Sequence, residues 1–176
     1  MAIIREAKFE DYSVIARLQS TNWRKYYRGI LTDEFLDKKA DQDRSTLWYN
    51  RMLFPDKDQR VFVAVVDEKI AGFACIFLNE DKEFGTFLDN LHVSEQVHRS
   101  GIGSSLLKRC ADCISRHSPD GRMYLWVYES NTDARRLYER MGAQLHETIE
   151  KDTVGGQNAR VCRYVWQNIE GLLQAA

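Results

Sequence analysis

Two glycines one residue apart, Gly101 and Gly103, close the stretch Val93-Ser94-Glu95-Gln96-Val97-His98-Arg99-Ser100-Gly101-Ile102-Gly103-Ser104-Ser105. Glycines let a backbone approach a ligand closely. A helix starting there offers unpaired N–H groups with a partial positive charge, so an anion such as a pyrophosphate fits. The same letters also suit a tight strand-to-helix turn whose glycine takes φ > 0 with no ligand at all. Two phosphate-binding patterns are excluded by the residues: a P-loop needs Gly-Lys followed by Ser or Thr, and a dinucleotide fingerprint needs a third small residue where Leu106 stands. Cys110 and Cys113 have CxxC spacing, but no second pair completes a zinc set, and their segment reads as helix, where such cysteines pack. No metal and no disulfide are expected.

The elements around this turn follow from periodicity. Ala2 to Glu6 reads as a short strand, and Phe9 to Arg24 carries Tyr12, Ile15, Leu18 and Trp23 at helix-compatible intervals. Thr32 with Asp33 and Glu34 marks a helix start, and a further helical piece spans Asp43 to Leu53. After Pro55, Val61 to Val66 and Ile70 to Leu78 flank a polar turn and read as a hairpin, and Thr86 to Val93 is a third long strand. Leu106, Leu107, Cys110, Ala111 and Ile114 make the glycine turn the entry to a helix that ends near Pro119. Met123 to Tyr128 is strand again. Asn131 caps a helix with Ala134, Leu137, Tyr138 and Met141 on one face, and Gly142 sits where a left-handed C-cap belongs. Gln144 to Lys151 and Arg160 to Trp166 read as a closing antiparallel pair. No linker or repeat interrupts residues 1–176, so one domain is expected, with a mixed α/β sheet rather than a doubly wound one.

His98-Arg99-Ser100-Gly101-Ile102-Gly103 fits the pattern R/Q-x-x-G-x-G/A, with His98 in place of Arg or Gln, and at this point the sequence resembles the GNAT superfamily of acyl-CoA N-acyltransferases. Leu88-Asp89-Asn90-Leu91-His92-Val93 is similar to that family's fourth strand. Asn131 to Ala143 is similar to its N-x-x-A-x-x-x-Y-x-x-x-G-F segment, departing only at Ala143. Ile4-Arg5-Glu6-Ala7 and the Trp/Tyr-Gly stretch from Asn22 to Leu31 also look like a subgroup of it.

The resemblance implies an α/β (α+β) fold with a mixed, mostly antiparallel sheet of about seven strands, helices on both faces, and strands four and five splayed apart. It implies acetyl-CoA as the acyl donor, its pantetheine arm pairing with the freed edge of strand four through the backbone of Leu91, His92 and Val93. His98 would support the loop, the amides of Arg99, Ser100, Gly101, Ile102, Gly103 and Ser104 would wrap the pyrophosphate, and Asn131 would meet the pantetheine or the end of strand five. Leu91 and Val93 are core residues, and Asn131 an N-cap, with or without a cofactor.

Acyl transfer to an amine needs a neutral nucleophile, a polarised thioester carbonyl and a proton for the departing thiolate. Tyr138 matches the family tyrosine and is the expected acid, since a phenol with pKa about 10 is protonated at neutral pH. By helical pattern alone it is a core aromatic. Phe87 occupies the position where many relatives carry a glutamate base. Asp89, four positions before Val93 and of the same strand parity, is the expected base, with His92, Glu129 or a water chain as alternatives. Trp23, Tyr26 and Tyr27 would line the acceptor pocket, or simply hold the first helices to the sheet. The expected activity is N-acetylation of a primary amine of a small molecule or peptide by direct attack in a ternary complex; a non-catalytic acyl-CoA-binding or regulatory module is the alternative.

The 176 residues carry Lys+Arg 25 against Asp+Glu 26, a net charge of −1, with 44% hydrophobic residues. That balance gives no broad field for nucleic acid or anionic membrane. No apolar run nears the roughly 20 residues a membrane helix needs, and the first residues lack a signal peptide's order, so a cytoplasmic protein is expected. By analogy with similar proteins, the closing strands and Trp166 could form a homodimer.

Overall fold

Alternation along the strands gives this sheet two buried faces. The computed structural model describes residues 2–97, 100–154 and 157–174. In β2 (Gln59–Val66), which pairs with the short β1 (Ile3–Glu6), Phe62 and Ala64 pack on one face against Leu106, Leu107 and Cys110 of α3 (Ile102–His117). Their neighbours Val61 and Val63 pack on the other face against Ile15 of α1 (Tyr12–Tyr26) and Trp48 of α2 (Ala40–Leu53). β3 (Lys69–Asp81) and β4 (Gly85–Val93) extend the antiparallel run, and the β2–β3 turn takes positive φ at Asp67 and Glu68, the twist a tight hairpin needs.

Seven strands lie in the order β1-β2-β3-β4-β5-β7-β6, where β5 is Met123–Tyr128, β6 Gln144–Asp152 and β7 Asn158–Trp166. Every neighbouring pair is antiparallel except β4 and β5. Those two are joined through α3, the crossover a parallel pair requires. They pair only at Thr86 with Met123 and Phe87 with Tyr124. Beyond that point β4 stays with β3 as far as Val93 and β5 stays with β7 as far as Tyr128, so the two strands diverge and the sheet opens between them. α4 (Thr132–Arg140) follows β5 and buries Tyr138 in the same core as α3.

Two expectations change. The helix begun at Thr32, whose Oγ1 accepts from Phe35 N at 3.3 Å, does not stop before Asp43; it passes through a π-helical turn, Phe35–Lys39, directly into α2. Phe35 and Leu36 of this turn and Ala40 just after it pack together against Trp23. A short α5 (Glu170–Gln174) also follows β7, docked by Ile169 and Leu172 in the α3-side core. Among the described residues no helix is long and apolar enough to cross a membrane.

Candidate active site

The divergence of β4 and β5 opens a cleft of about 1020 Å³. Its walls bring together α1, the exposed ends of β4 and β5, the first turn of α3, α4 and the end of β6. Leu91, His92, Val93, Gly101, Ile102, Gly103, Ser104 and Asn131 all line it, as do Trp23, Tyr26, Tyr27, Asp89 and Tyr138. Ser100 turns its hydroxyl back onto the Val97 carbonyl at 2.5 Å. His98 and Arg99 lie outside the described residues.

The two glycines of the turn do different work. Gly101 is the N-cap of α3 at φ 81, a left-handed conformation that side chains resist, and a β-carbon there would meet nothing within 4 Å. Gly103 is ordinary helix, but its β-carbon would lie 3.2 Å from Leu137 Cδ2 of α4. Gly101 brings no side-chain cap to the helix. The first amides of a helix have no partner within it, so those of Ile102, Gly103 and Ser104 point out of the start of α3. A pyrophosphate fits the start of α3: a β-carbon at the Gly101 N-cap would meet nothing within 4 Å, and the β4 edge beside it pairs with β5 only at Thr86 and Phe87.

Asn131 caps α4 by accepting from Ala134 N at 3.3 Å, and its side chain also hydrogen-bonds the Tyr27 hydroxyl. Tyr27 meets Tyr128 edge to face at 4.8 Å; burial first, then Tyr128, raises the Tyr27 hydroxyl pKa well above the ordinary phenol range. Tyr138 lies between Tyr164 and Trp166 with only 7% of its surface exposed, and its hydroxyl has no hydrogen-bond partner among the described residues. Burial, followed by the nearby Tyr27, pushes its pKa strongly upward, so it holds its proton across the neutral range.

Trp23 packs on Phe35 and Tyr27 and carries the Arg44 guanidinium over its ring at 4.4 Å, so it serves the α1–α2 contact as much as the cleft wall. Tyr26 is 38% exposed at the cleft rim, with the Lys25 ammonium 5.5 Å from its ring centre.

The strand parity expected for Asp89 does not hold. A bulge places Asp89 between the Cys75–Asn90 and Ile76–Leu88 pairs, so it turns with Asn90 toward α2, whereas Val93 packs on the α3 side. A bulge adds one unpaired residue and re-aims the side chains around it. Arg51 Nη1 of α2 donates to Asp89 Oδ2 at 2.6 Å, and Asn90 Nδ2 donates to the same oxygen.

Of the alternative bases, Glu129 is held by Arg160 at 2.7 Å and lines a separate hollow of about 210 Å³ rather than the main cleft. His92 stacks on Phe73, with Nδ1 3.4 Å from Asn22 Nδ2. Burial, helped by Arg44, pushes its pKa down to about 4, so the ring is neutral near pH 7; with Nδ1 accepting from Asn22, its proton lies on Nε2. Among the described residues no cluster of His, Cys, Asp or Glu is arranged to hold a metal ion, and the cysteines are free.

Sequence reasoning missed Gln19, Asn22, Asn90, Arg51 and Trp126. Asn22 Nδ2 donates to the Val93 carbonyl at 3.1 Å and ties the end of β4 to α1. Gln19 and Asn22 stand three apart on the buried side of α1, and polar residues in an apolar stripe were the available clue.

The profile of the acetyltransferase (GNAT) family matches residues 17–143, most of the chain. The chain belongs to the GNAT family. A GNAT relative, the uncharacterized N-acetyltransferase YuaI of Bacillus subtilis (strain 168), is 31% identical over 135 residues, 74% of each chain. Among solved GNAT folds, the PaiA N-acetyltransferase of Thermoplasma acidophilum, in complex with coenzyme A, superposes with a TM-score of 0.73 at 18% identity over 93% of this chain and 98% of that one. The structure of yncA of Salmonella typhimurium, with its cofactor acetyl-CoA, gives a TM-score of 0.68 at 18% identity, covering 95% of this chain and 94% of that one.

Proposed function

We propose that this N-acetyltransferase moves the acetyl group of acetyl-CoA to a primary amine of a small molecule or peptide, by direct attack in a ternary complex. The observation that carries the reading is Tyr138: a protonated hydroxyl on a buried ring, with no hydrogen-bond partner among the described residues, in the wall of a cleft that begins at the glycine turn of α3. The pyrophosphate of the donor takes the amides at the start of α3, and the pantetheine arm runs along the β4 edge that β5 leaves unpaired.

The acceptor enters past Tyr26, Phe87, Trp126 and Tyr128, whose ring faces favour a cationic amine. Once it has lost one proton to solvent, its neutral nitrogen bonds to the thioester carbonyl carbon while a backbone N–H on the free edge of β4 supports the developing oxyanion. The nitrogen's proton passes to Asp89, directly or through one water. The C–S bond then breaks, and the thiolate takes the Tyr138 proton to leave as free coenzyme A. Proton exchange between the tyrosinate, the protonated carboxyl and solvent restores the site.

Thermal unfolding with and without acetyl-CoA, with ATP and NAD as controls, tests the donor. At a hundredfold excess over Kd, linkage gives about 2.7 kcal/mol, or roughly 5 to 10 °C at this size. Thiol release with a polyamine, an amino acid, an aminoglycoside and a peptide N-terminus then reads out the acceptor class. A shift with another nucleotide but not with acetyl-CoA overturns the reading. Tight binding without transfer to any amine would leave an acyl-CoA-binding module.

A further inference from the structure

A line of buried polar groups runs from the core of α2 to the cleft. Trp48 Nε1 donates to Gln19 Oε1 at 2.7 Å, Gln19 Nε2 donates to Asn90 Oδ1 at 2.6 Å, and Asn90 Nδ2 donates to Asp89 Oδ2. Trp48, Gln19 and Asn90 are 0%, 2% and 7% exposed. An amide can usually turn either way, but here the direction is forced. An indole N–H only donates, so the oxygen of Gln19 must face Trp48 and its nitrogen must face Asn90. Asn90 must in turn present its oxygen to Gln19 and its nitrogen to Asp89. Reversing either amide would set like against like inside the core and leave buried polar groups unpaired.

The consequence lies at the carboxylate. Arg51 and Asn90 both donate to Oδ2, and Oδ1 has no partner among the described residues, while Asp89 lines the cleft. We propose that Gln19 and Trp48 are positioning residues of acetyl transfer, which lock the Asn90 amide onto one oxygen of Asp89 and so keep the other oxygen for the acceptor amine. The proposal rests on Asp89 being the proton acceptor. Neither residue touches donor or acceptor in this role; both act through Asn90. The β4 bulge is what makes the line continuous, because it puts Asn90 and Asp89 on the same side of the sheet.

The test reads Asp89 itself, in full-length protein labelled with 13C at the aspartate carboxyl and saturated with coenzyme A. Its signal is assigned by its loss in Asp89→Asn. The other titratable or charged groups nearby are Arg51 on α2, the buried Cys75 thiol on β3, and His92 with Arg44 behind it. Gln19→Met removes the amide without adding charge, and Trp48→Phe removes only the donor that sets the direction. Loosening the Asn90 donor changes what that carboxylate meets, so at one fixed pH the Asp89 13C resonance should move in Gln19→Met and move less in Trp48→Phe. Resonances unmoved in both variants overturn the proposal, even where thermal stability falls, since a structural role alone predicts that result. The underlying reading fails separately: acetyl transfer to spermidine unchanged in Asp89→Asn would remove Asp89 as proton acceptor while leaving the resonance result intact.

Discussion

Gly103 of α3 and Leu137 of α4 approach so closely that a β-carbon on Gly103 would lie 3.2 Å from Leu137 Cδ2. Two residues earlier, at Gly101, a β-carbon would have open space but a backbone at φ 81. The two alanine variants should therefore fail differently. Gly101→Ala carries about 1–2 kcal/mol of left-handed strain, a Tm loss of roughly 2 to 8 °C, and weakens acetyl-CoA binding by re-aiming the first amides of α3. Gly103→Ala asks Leu137 to shift by a few tenths of an ångström and should lose under about 1 kcal/mol. Thermal unfolding with an acetyl-CoA titration separates them. A Gly101→Ala protein as stable and as tight-binding as the parent would show that the turn needs no glycine there.

Tyr138→Phe deletes one oxygen from a packed ring, so the fold should be nearly unaffected. The hydroxyl makes no bond among the described residues that its removal would break. Turnover at saturating acetyl-CoA should fall about 100-fold or more, the range of a lost general acid, with the donor's binding constant within about twofold. A single-turnover measurement of thiol release with a competent amine checks this. Unchanged turnover would reduce Tyr138 to a core aromatic.

What the sequence showed and what it hid divide by the range of the interactions. Gly101, Asn131 and Gly142 depend on local backbone geometry, and the structure gives each its expected conformation: a left-handed N-cap, a capping side chain and φ 89. The strands were legible because apolar alternation is local too. Asp89 was misplaced in face because its bulge comes from pairing with β3 at Cys75 and Ile76, and nothing in Leu88-Asp89-Asn90 marks it. Gln19 and Asn90 stand 71 residues apart, so their hydrogen bond exists only once α1 lies on the sheet. Phe35, Leu36 and Ala40 likewise meet Trp23 only once the chain has folded back on α1.

Tyr27 and Asn131 join the end of α1 to the N-cap of α4 across the cleft. Tyr27→Phe removes that bond but keeps the edge-to-face contact with Tyr128 at 4.8 Å. A loss of about 1 kcal/mol is expected, the usual net worth of one hydrogen bond, together with faster amide exchange in the first turn of α4. Hydrogen exchange at Ala134 and Arg135 is the direct check. Protection there equal to the parent's would mean that the Ala134 cap alone holds the turn.

The His92 ring gives a pH dependence whose sign can be worked out. Burial, with Arg44 second, takes its pKa from the ordinary 6.5 down to about 4. Between those values the unfolded chain binds a proton that the folded chain refuses, so falling pH favours unfolding. The contribution is fully present above about pH 6.5, is lost progressively toward pH 4, and changes no further below that. His92→Phe retains a ring against Phe73 and removes the titration, so its Tm should fall less than the parent's between pH 7.5 and pH 4.5. Carboxylates titrate alike in both proteins, so the difference between the two curves isolates His92. Parallel curves would mean that the ring takes up its proton in the folded state as readily as in the unfolded chain.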